Sequence, residues 1–161
     1  MNVYLDNAAT TPMLPEVVEA MLPYMRDHFG NPSSTHQFGR RTKTAIEQSR
    51  RQIAGQLGVE PRTVCFTSGG TESDNMALHA SVDQLGCKRI LTCATEHSAV
   101  LKTAEHLGKR DDVTCGLLQL DAAGKVDLHH LAITLSDGIP TVVSVMHGNN
   151  EVGILQDIEA I

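Results

Sequence analysis

The run from Thr67 to Asn75 (TSGGTESDN) combines glycines with hydroxyl side chains. Gly69 and Gly70 carry no Cβ atom, so the backbone there can turn sharply and approach a ligand closely. Thr71 adds a hydroxyl at the point where a helix is expected to begin and to direct its free N–H groups toward the turn. We interpret the run as a phosphate-binding loop. A plain helix start is the alternative, because Thr71 and Asp74 also fit a capping box.

The loop differs from the two best-known nucleotide-binding motifs. Its glycines are not followed by Gly-Lys-Ser/Thr, and no GxGxxG opens the helix. With hydroxyls from Ser68 and Thr71, the loop is better suited to a mononucleotide or another small phosphate ester.

Two more polar groups follow strand-like runs. His97 comes after the apolar run Arg89–Ala94, and Asn149 and Asn150 come after the run Thr141–Met146. An imidazole can stack on an aromatic ring or transfer protons near neutral pH, and amides can bind a ring hydroxyl or a carboxylate. The alternatives are a structural hydrogen bond for the histidine and an asparagine-rich turn for the pair.

Strand-like and helix-like stretches alternate along the chain and predict how these groups are brought together. The alternation indicates βαβ units, hence an α/β fold with a mostly parallel sheet and helices on both faces. Ligands bind at the carboxyl ends of the strands in such sheets, so we expect the polar groups at that edge. The predicted strands are Thr63–Thr67, Arg89–Ala94, Val113–Leu120 and Thr141–Met146. The predicted helices are one near Pro15 to His28, a long one capped by the turn Asn31–Ser34 and ending at Gly58, Glu72–Leu85, Ser98–Lys109, Asp127–Leu135, and one starting near Gln156.

The composition bounds the class of protein. The 161 residues, 41% of them hydrophobic and 20% charged, suit one soluble globular domain. A net charge of −6 argues against a nucleic-acid partner. We find no signal peptide and no apolar run of the roughly 18–20 residues that a membrane span needs, so we expect a cytoplasmic protein. The four cysteines form no CxxC pair, which favours buried free thiols over disulfides or a metal site.

Five segments of the sequence resemble one enzyme family, in its order and spacing along essentially the whole chain. They resemble the class V aminotransferase-like enzymes that use pyridoxal 5'-phosphate (PLP), and most closely the NifS/IscS-like branch of the cysteine desulfurases. The segments are Tyr4–Pro12, Gly30–Ser34 with His36, Phe66–Asn75, Thr95–His97 and Asn149–Gly153.

The resemblance implies a role for each polar group described above. Gly70 and Thr71 would bind the PLP phosphate. His97 would stack on the pyridine ring and act catalytically by moving protons. Asn150 would bind the ring hydroxyl of the cofactor and the carboxylate of the substrate, with Asn149 as its neighbour.

The resemblance also implies a domain organisation. The fold would be that of the PLP-dependent transferases (fold type I), truncated within its large domain. Residues 15–161 would form the N-terminal part of that PLP-binding domain. Residues 1–14 would form a segment near the active-site entrance or the small domain.

The function that the resemblance implies is that of a homodimeric cysteine desulfurase. Such an enzyme converts L-cysteine to L-alanine and passes the sulfur, as a persulfide, to an iron–sulfur scaffold or another acceptor protein. Two alternatives stay open: a selenocysteine lyase or other class V enzyme, and a split-gene or non-catalytic subunit that needs a partner chain. A generic nucleotide-binding domain ranks below both.

The residues that carry the covalent chemistry in this family find no match within the 161 residues. The family's Schiff-base lysine follows a Ser-Gly-His run, and its sulfur-accepting cysteine lies in a mobile loop rich in small residues. None of the lysines here follows Ser-Gly-His, and none of the cysteines lies in such a loop. We therefore predict that the 161-residue chain alone has no desulfurase activity.

Overall fold

The computed structural model describes residues 2–161, which form two compact units. The first unit ends at Phe66, and the second takes up the rest of the chain. Met1, which begins the predicted segment 1–14, lies outside the described residues, and the predicted boundary between that segment and residues 15–161 stays a prediction. None of the helices in the described part of the chain is long and apolar enough to cross a membrane.

The first unit is helical, and the second alternates helices with strands. The sequence predicts all of the α-helices and the three longer strands to within a few residues. The elements of the first unit are α1 (Pro15–Arg26) and α2 (Gln37–Leu57), followed by a 3-10 turn (Pro61–Thr63) that was not predicted. The predicted elements of the second unit are α3 (Gly70–Asp83), β1 (Arg89–Thr92), α4 (Ser98–Leu107), β2 (Thr114–Leu117), α5 (Leu128–Leu135) and β3 (Thr141–Ser144). Two short strands that were not predicted follow them, β4 (Gly148–Asn149) and β5 (Ile154–Leu155).

Local sequence features begin and end the helices of the first unit. Pro15 occupies the first helical position of α1, where a missing N–H costs nothing. At the start of α2, the Nδ1 atom of His36 accepts a hydrogen bond from the N–H of Gly39 at 3.4 Å. The turn Asn31–Ser34 therefore precedes the cap instead of forming it. At the other end, Gly58 adopts the left-handed conformation (φ 67°) and ends the helix as predicted.

Three parallel strands form the centre of the second unit, in the order β2-β1-β3. Arg89 of β1 pairs with Thr114 of β2 and with Thr141 of β3, so the three strands start in register. The predicted parallel sheet is confirmed. The spacing of the strands along the chain does not predict their order in the sheet, in which β1 lies in the middle.

Apolar residues of β1 alternate between the two faces of this sheet. Ile90 packs in a buried cluster with residues of α3 and α4, and Leu91 packs in a second cluster with a residue of α5. Helices therefore cover both faces of the sheet, as predicted. The first cluster consists of Leu78, Val82, Ile90, Val100, Ala104, Leu107 and Val113, and the second of Leu91, Cys93, Leu118, Val126 and Leu131.

The prediction of a strand over Thr63–Thr67 is wrong. Thr63 closes the 3-10 turn, and no strand pairs with the residues after it within the described part of the chain. The carbonyl of Val64 accepts a hydrogen bond from the guanidinium of Arg50, which also lies 4.9 Å from the centre of the Phe66 ring. An apolar run forms a strand when a neighbouring strand bonds its backbone groups, and here a side chain does so instead.

The prediction of a helix from Gln156 is also wrong. Strand β5 ends at Leu155, and residues 157–161 form a turn. The side chain of Gln156 is 8% exposed. Its Oε1 accepts from the N–H of Val126 at 3.0 Å, and its Nε2 donates to the carbonyl of Gly124 at 2.9 Å. The main-chain N–H of Gln156 donates to the carbonyl of His147 at 2.8 Å, so this residue continues the pairing of β4 with β5 instead of beginning a helix.

The four cysteines are all free thiols, but they are not all buried. Cys93 is buried as predicted, and burial raises the pKa of its thiol. Cys65 and Cys115 are exposed, contrary to the prediction, and Cys115 lies on β2, an edge strand with a neighbour on one side. No group of three or more His, Cys, Asp and Glu side chains within residues 2–161 is placed to hold a metal ion.

Candidate functional site

A pocket of about 290 Å³ lies where β1 and β3 end. Because β1 and β3 are parallel neighbours, their carboxyl ends meet at one edge of the sheet. The segment after β1 supplies His97, and the segment after β3 supplies Asn150, so the structure brings these two predicted site residues together. The lining is completed by Thr95, Glu96, Ser98, Leu101, Met146, Asn149 and Glu151.

His97 forms the N-cap of α4. The ring atom Nδ1 accepts a hydrogen bond from the N–H of Ala99 at 3.1 Å. The main-chain N–H of His97 donates to Oε2 of Glu96 at 2.9 Å. In a neutral imidazole whose Nδ1 accepts a hydrogen bond, the hydrogen lies on Nε2. His97 therefore makes the structural hydrogen bond that was the alternative to a functional role, because it caps α4. The ring is exposed, and its Nε2 is the atom available to a ligand.

Asn149 and Asn150 lie in the hairpin formed by β4 and β5. The half-buried Asn149 donates from Nδ2 to the carbonyl of Thr95 at 2.7 Å. Its Oδ1 accepts from the N–H groups of Glu151 and Val152 at 2.8 and 2.9 Å. Asn150 follows in the turn and is exposed. The asparagine-rich turn is therefore present, and Asn150 is its exposed amide.

The start of α3 is the predicted phosphate-binding loop. Gly69 is the N-cap residue, and no side chain caps the helix there. Beyond the adjoining backbone, no heavy atom lies within 4 Å of the Cβ position of either Gly69 or Gly70, so the loop faces open space. The capping box of Thr71 and Asp74 is not the arrangement found, because Thr71 lies inside the helix.

The hydroxyl of Ser68 is engaged within this loop. Ser68 donates to Oε2 of Glu72 from its hydroxyl and from its N–H, each at 2.6 Å. These two bonds lower the pKa of Glu72, so a carboxylate charge lies beside the helix start. The prediction that Ser68 offers its hydroxyl to a ligand is therefore not met. The N–H groups of the first turn of α3 and the hydroxyl of Thr71 are the donors that a phosphate could use.

The predicted site residues form two groups in the structure. His97 and Asn150 share the pocket, whereas Gly70 and Thr71 lie at the start of α3 and do not line it. The sequence reasoning missed the double engagement of Asn149. An asparagine oxygen that bonds N–H groups two and three residues later is an Asx-turn pattern, which sequence can indicate. No sequence pattern identifies its other partner, a main-chain carbonyl 54 residues away.

Known proteins resemble this chain over nearly its whole length. The sequence profile described as Aminotransferase class-V matches residues 3–161. The Cysteine desulfurase IscS of Dictyoglomus turgidum (strain DSM 6724 / Z-1310) is 46% identical over 161 residues, which cover 98% of this chain and 40% of that protein. A solved structure described as a NifS-like protein is 36% identical, with a TM-score of 0.89 over 99% of this chain and 44% of that one. A structure described as SspA in complex with cysteine is 32% identical, with a TM-score of 0.84 over 96% of this chain and 44% of that one.

The similarity covers nearly all of this chain and less than half of each relative. The chain spans about 40% of the length of the curated relatives it matches. The agreement with the NifS-like structure confirms the predicted fold class.

Proposed function

Because this chain belongs to the class-V aminotransferase family, we propose that it is the N-terminal part of a PLP-dependent cysteine desulfurase. The observation that carries the proposal is the pocket at the carboxyl ends of β1 and β3, where His97 and Asn150 meet. An imidazole and an amide at one strand edge suit a flat heteroaromatic ring with a hydroxyl group.

The described residues fit the parts of PLP. The uncapped start of α3, with open space at Gly69 and Gly70, suits the phosphate, because a helix N-terminus favours an anion by about 0.3–1 kcal/mol. Glu72 opposes an anion there, and two hydrogen bonds within the loop disperse part of its charge. His97 and Asn150 are the groups that would hold the ring. When bound, PLP supplies an electron sink for breaking bonds at the substrate carbon atoms.

The hydrogen bond at Nδ1 limits what His97 does in the resting state. While Nδ1 accepts from Ala99, the ring carries its hydrogen on Nε2 and has that hydrogen to donate to a ligand. Both the imidazolium and the other neutral tautomer carry a hydrogen on Nδ1 and so lose the bond to Ala99. We therefore propose that His97 orients an acceptor while it caps α4, and that any proton transfer at Nε2 is coupled to release of that cap.

We propose that the whole protein transfers sulfur from L-cysteine. The C–S bond of cysteine breaks and the sulfur joins an enzyme thiol, so that L-cysteine and a thiol give L-alanine and a persulfide. An iron–sulfur scaffold or another acceptor protein would then take the sulfur. A cytoplasmic homodimer is part of the same proposal. The SspA structure, which is described as a complex with cysteine, supports the choice of substrate.

The purified product of the gene that contains this chain tests the proposal. We expect it to retain PLP after desalting and to release alanine from L-cysteine. His97→Ala should lower kcat by roughly 10²–10⁴-fold, the range for loss of a proton-transferring group, and Asn150→Ala should weaken PLP retention. His129→Ala and Gln119→Ala remove exposed side chains of matching types elsewhere in the second unit and should change neither.

The two measurements, PLP retention and alanine release, test the proposed cofactor and the proposed reaction separately. Retained PLP without alanine release would contradict the desulfurase and leave the cofactor proposal standing. A product that retains no PLP would contradict both. For the 161-residue chain alone we expect no alanine release, because none of its lysines follows Ser-Gly-His.

A further inference from the structure

The side chain of Asn149 joins two loops of the candidate site. Its Nδ2 donates to the carbonyl oxygen of Thr95 at 2.7 Å, across 54 residues of sequence. Thr95 lies two residues before His97, and Asn149 directly precedes Asn150. The bond therefore links the backbone that carries the imidazole to the backbone that carries the exposed amide.

The other end of the Asn149 side chain holds the turn of the hairpin. Its Oδ1 accepts from the N–H of Glu151 at 2.8 Å and from the N–H of Val152 at 2.9 Å. The main-chain carbonyl of Asn149 accepts from the N–H of Gly153 at 3.0 Å. Because both lone pairs of Oδ1 are used, this amide has no acceptor left for a ligand.

A second link holds the base of the same hairpin. The buried side chain of Gln156 bonds to the backbone of Gly124 and Val126 at 2.9 and 3.0 Å. The hairpin is thus fixed at its base by Gln156 and at its turn by Asn149. Asn150 lies between these two points in the chain and is exposed.

We propose that Asn149 is a positioning residue whose bond to the Thr95 carbonyl keeps Asn150 beside His97. The inference rests on the proposed function, in which Asn150 binds PLP. It gives Asn149 no contact with the cofactor or the substrate. The bond is partly shielded from water by burial, which strengthens it relative to an exposed bond between the same groups.

Two substitutions remove the link and spare the turn. Asn149→Asp keeps an oxygen acceptor for the N–H groups of Glu151 and Val152 but loses the donor to Thr95. Asn149→Ser keeps a shorter acceptor for the turn, adds no charge and is too short to bond Thr95. Gln84→Glu, an amide-to-acid change at an exposed residue after α3, is the matched control for the added charge.

Amide hydrogen exchange in the gene product without cofactor tests the link directly. We expect both Asn149 variants to exchange about tenfold faster than wild type at residues 148–156 and 95–97, because loss of one hydrogen bond lowers the free energy of local opening. Exchange in β1 and in the Gln84→Glu control should stay as in wild type. Unchanged exchange at the two loops in both variants would overturn the proposal.

A double-mutant cycle in the PLP-loaded protein tests whether Asn149 acts through Asn150. We expect Asn149→Asp and Asn149→Ser to weaken PLP retention about tenfold and to shift the absorption maximum of bound PLP in the direction seen for Asn150→Ala. In the Asn150→Ala background, the same two substitutions should have no further effect. Additive effects, or a lower Tm with an unchanged PLP spectrum, would show a merely structural role and overturn the proposal.

PLP retention by the wild-type protein tests the proposed function, and hydrogen exchange in the Asn149 variants tests the role of Asn149 independently of it. A wild-type product that retains no PLP contradicts the proposed function, and the role of Asn149 is then decided by hydrogen exchange. If Asn149→Asp does not fold, Asn149→Ser decides the outcome in both experiments.

Discussion

The two units of the chain differ in where their apolar side chains lie. In the second unit, apolar residues on both faces of the sheet form two buried clusters. In the first unit, Gly39 and Ala54 are the only buried residues among those that the structure describes. The rings of Tyr24, Phe29 and Phe38 are 48%, 75% and 58% exposed.

The helices of the first unit depend mainly on local sequence, whereas the sheet of the second unit depends on the burial of its apolar residues. Pro15, His36 and Gly58 begin or end the helices of the first unit, and none of them needs a partner from a distant element. Isolated helices of fewer than about 12–15 residues are marginal in water, and α1 has 12 residues and buries none of them. The sheet of the second unit, in contrast, exists because its strands pair and its two faces are covered.

Removing a core side chain of the second unit should have the largest effect. Ile90 is 0% exposed on the central strand β1, and Ile90→Ala should lower the free energy of unfolding by about 2–5 kcal/mol because it leaves a cavity. Ile133→Ala, at an isoleucine that is 58% exposed on α5, should change it by less than about 0.5 kcal/mol. Urea denaturation followed by circular dichroism measures both. Equal losses would contradict the contrast between buried and exposed apolar residues.

A smaller effect is expected at Gly39, where two segments of backbone lie close together in the first unit. A Cβ atom on Gly39 would lie 2.4 Å from the carbonyl oxygen of Ser34 and 2.5 Å from that of Asn31. Since backbone atoms cannot rotate away, Gly39→Ala should lower the free energy of unfolding by about 1–3 kcal/mol. Hydrogen exchange along α2 measures the local effect.

The matched control for this change lies on the same helix. No heavy atom lies within 4 Å of the Cβ position of Gly55, so Gly55→Ala should stabilise α2 by about 0.5–1 kcal/mol. If Gly39→Ala also slowed exchange along α2, the turn before the helix would not constrain it, and the first unit would depend on helix propensity alone.

The smallest effect concerns the carboxylate of Asp112 in the second unit. Asp112 accepts from Nζ of Lys88 at 2.9 Å and from Nε of Arg110 at 3.1 Å, and these partners lower its pKa from 3.8 to about 2. A pKa lowered by folding stabilises the fold above the unfolded value, and this contribution is lost as the pH falls from about 4 toward 2. Asp112→Asn should therefore make the urea midpoint less dependent on pH in that range. The effect is small because the pair is half exposed.

The control for Asp112 is its exposed neighbour. Asp111→Asn removes the same charge one residue away and should leave the pH dependence of the urea midpoint as in wild type. The same pH dependence in wild type and Asp112→Asn would show that pairing with Lys88 and Arg110 contributes nothing to the stability of the second unit.

The sequence by itself determined the helices, three of the strands and the family. Gly58 ends α2 where predicted because the left-handed conformation is a local requirement that glycine meets. The run Arg89–Ala94 contains β1 because apolar residues there are buried on both faces of the sheet. His97 and Asn150 could be chosen as candidates because polar residues after parallel strands lie at the edge where ligands bind. Their roles stay predictions.

The tertiary structure alone decided which segments pair and which side chains remain free. The run Thr63–Thr67 has the composition of a strand but bonds Arg50 instead of a neighbouring strand. Asn149 and Asn150 are adjacent residues of one type, yet the first is bonded at both ends of its side chain and the second is exposed. In these cases a hydrogen bond stabilises only if its partner is in place. Arg50 lies 14 residues from its partner Val64, and Asn149 lies 54 residues from its partner Thr95, so no local pattern could contain either bond.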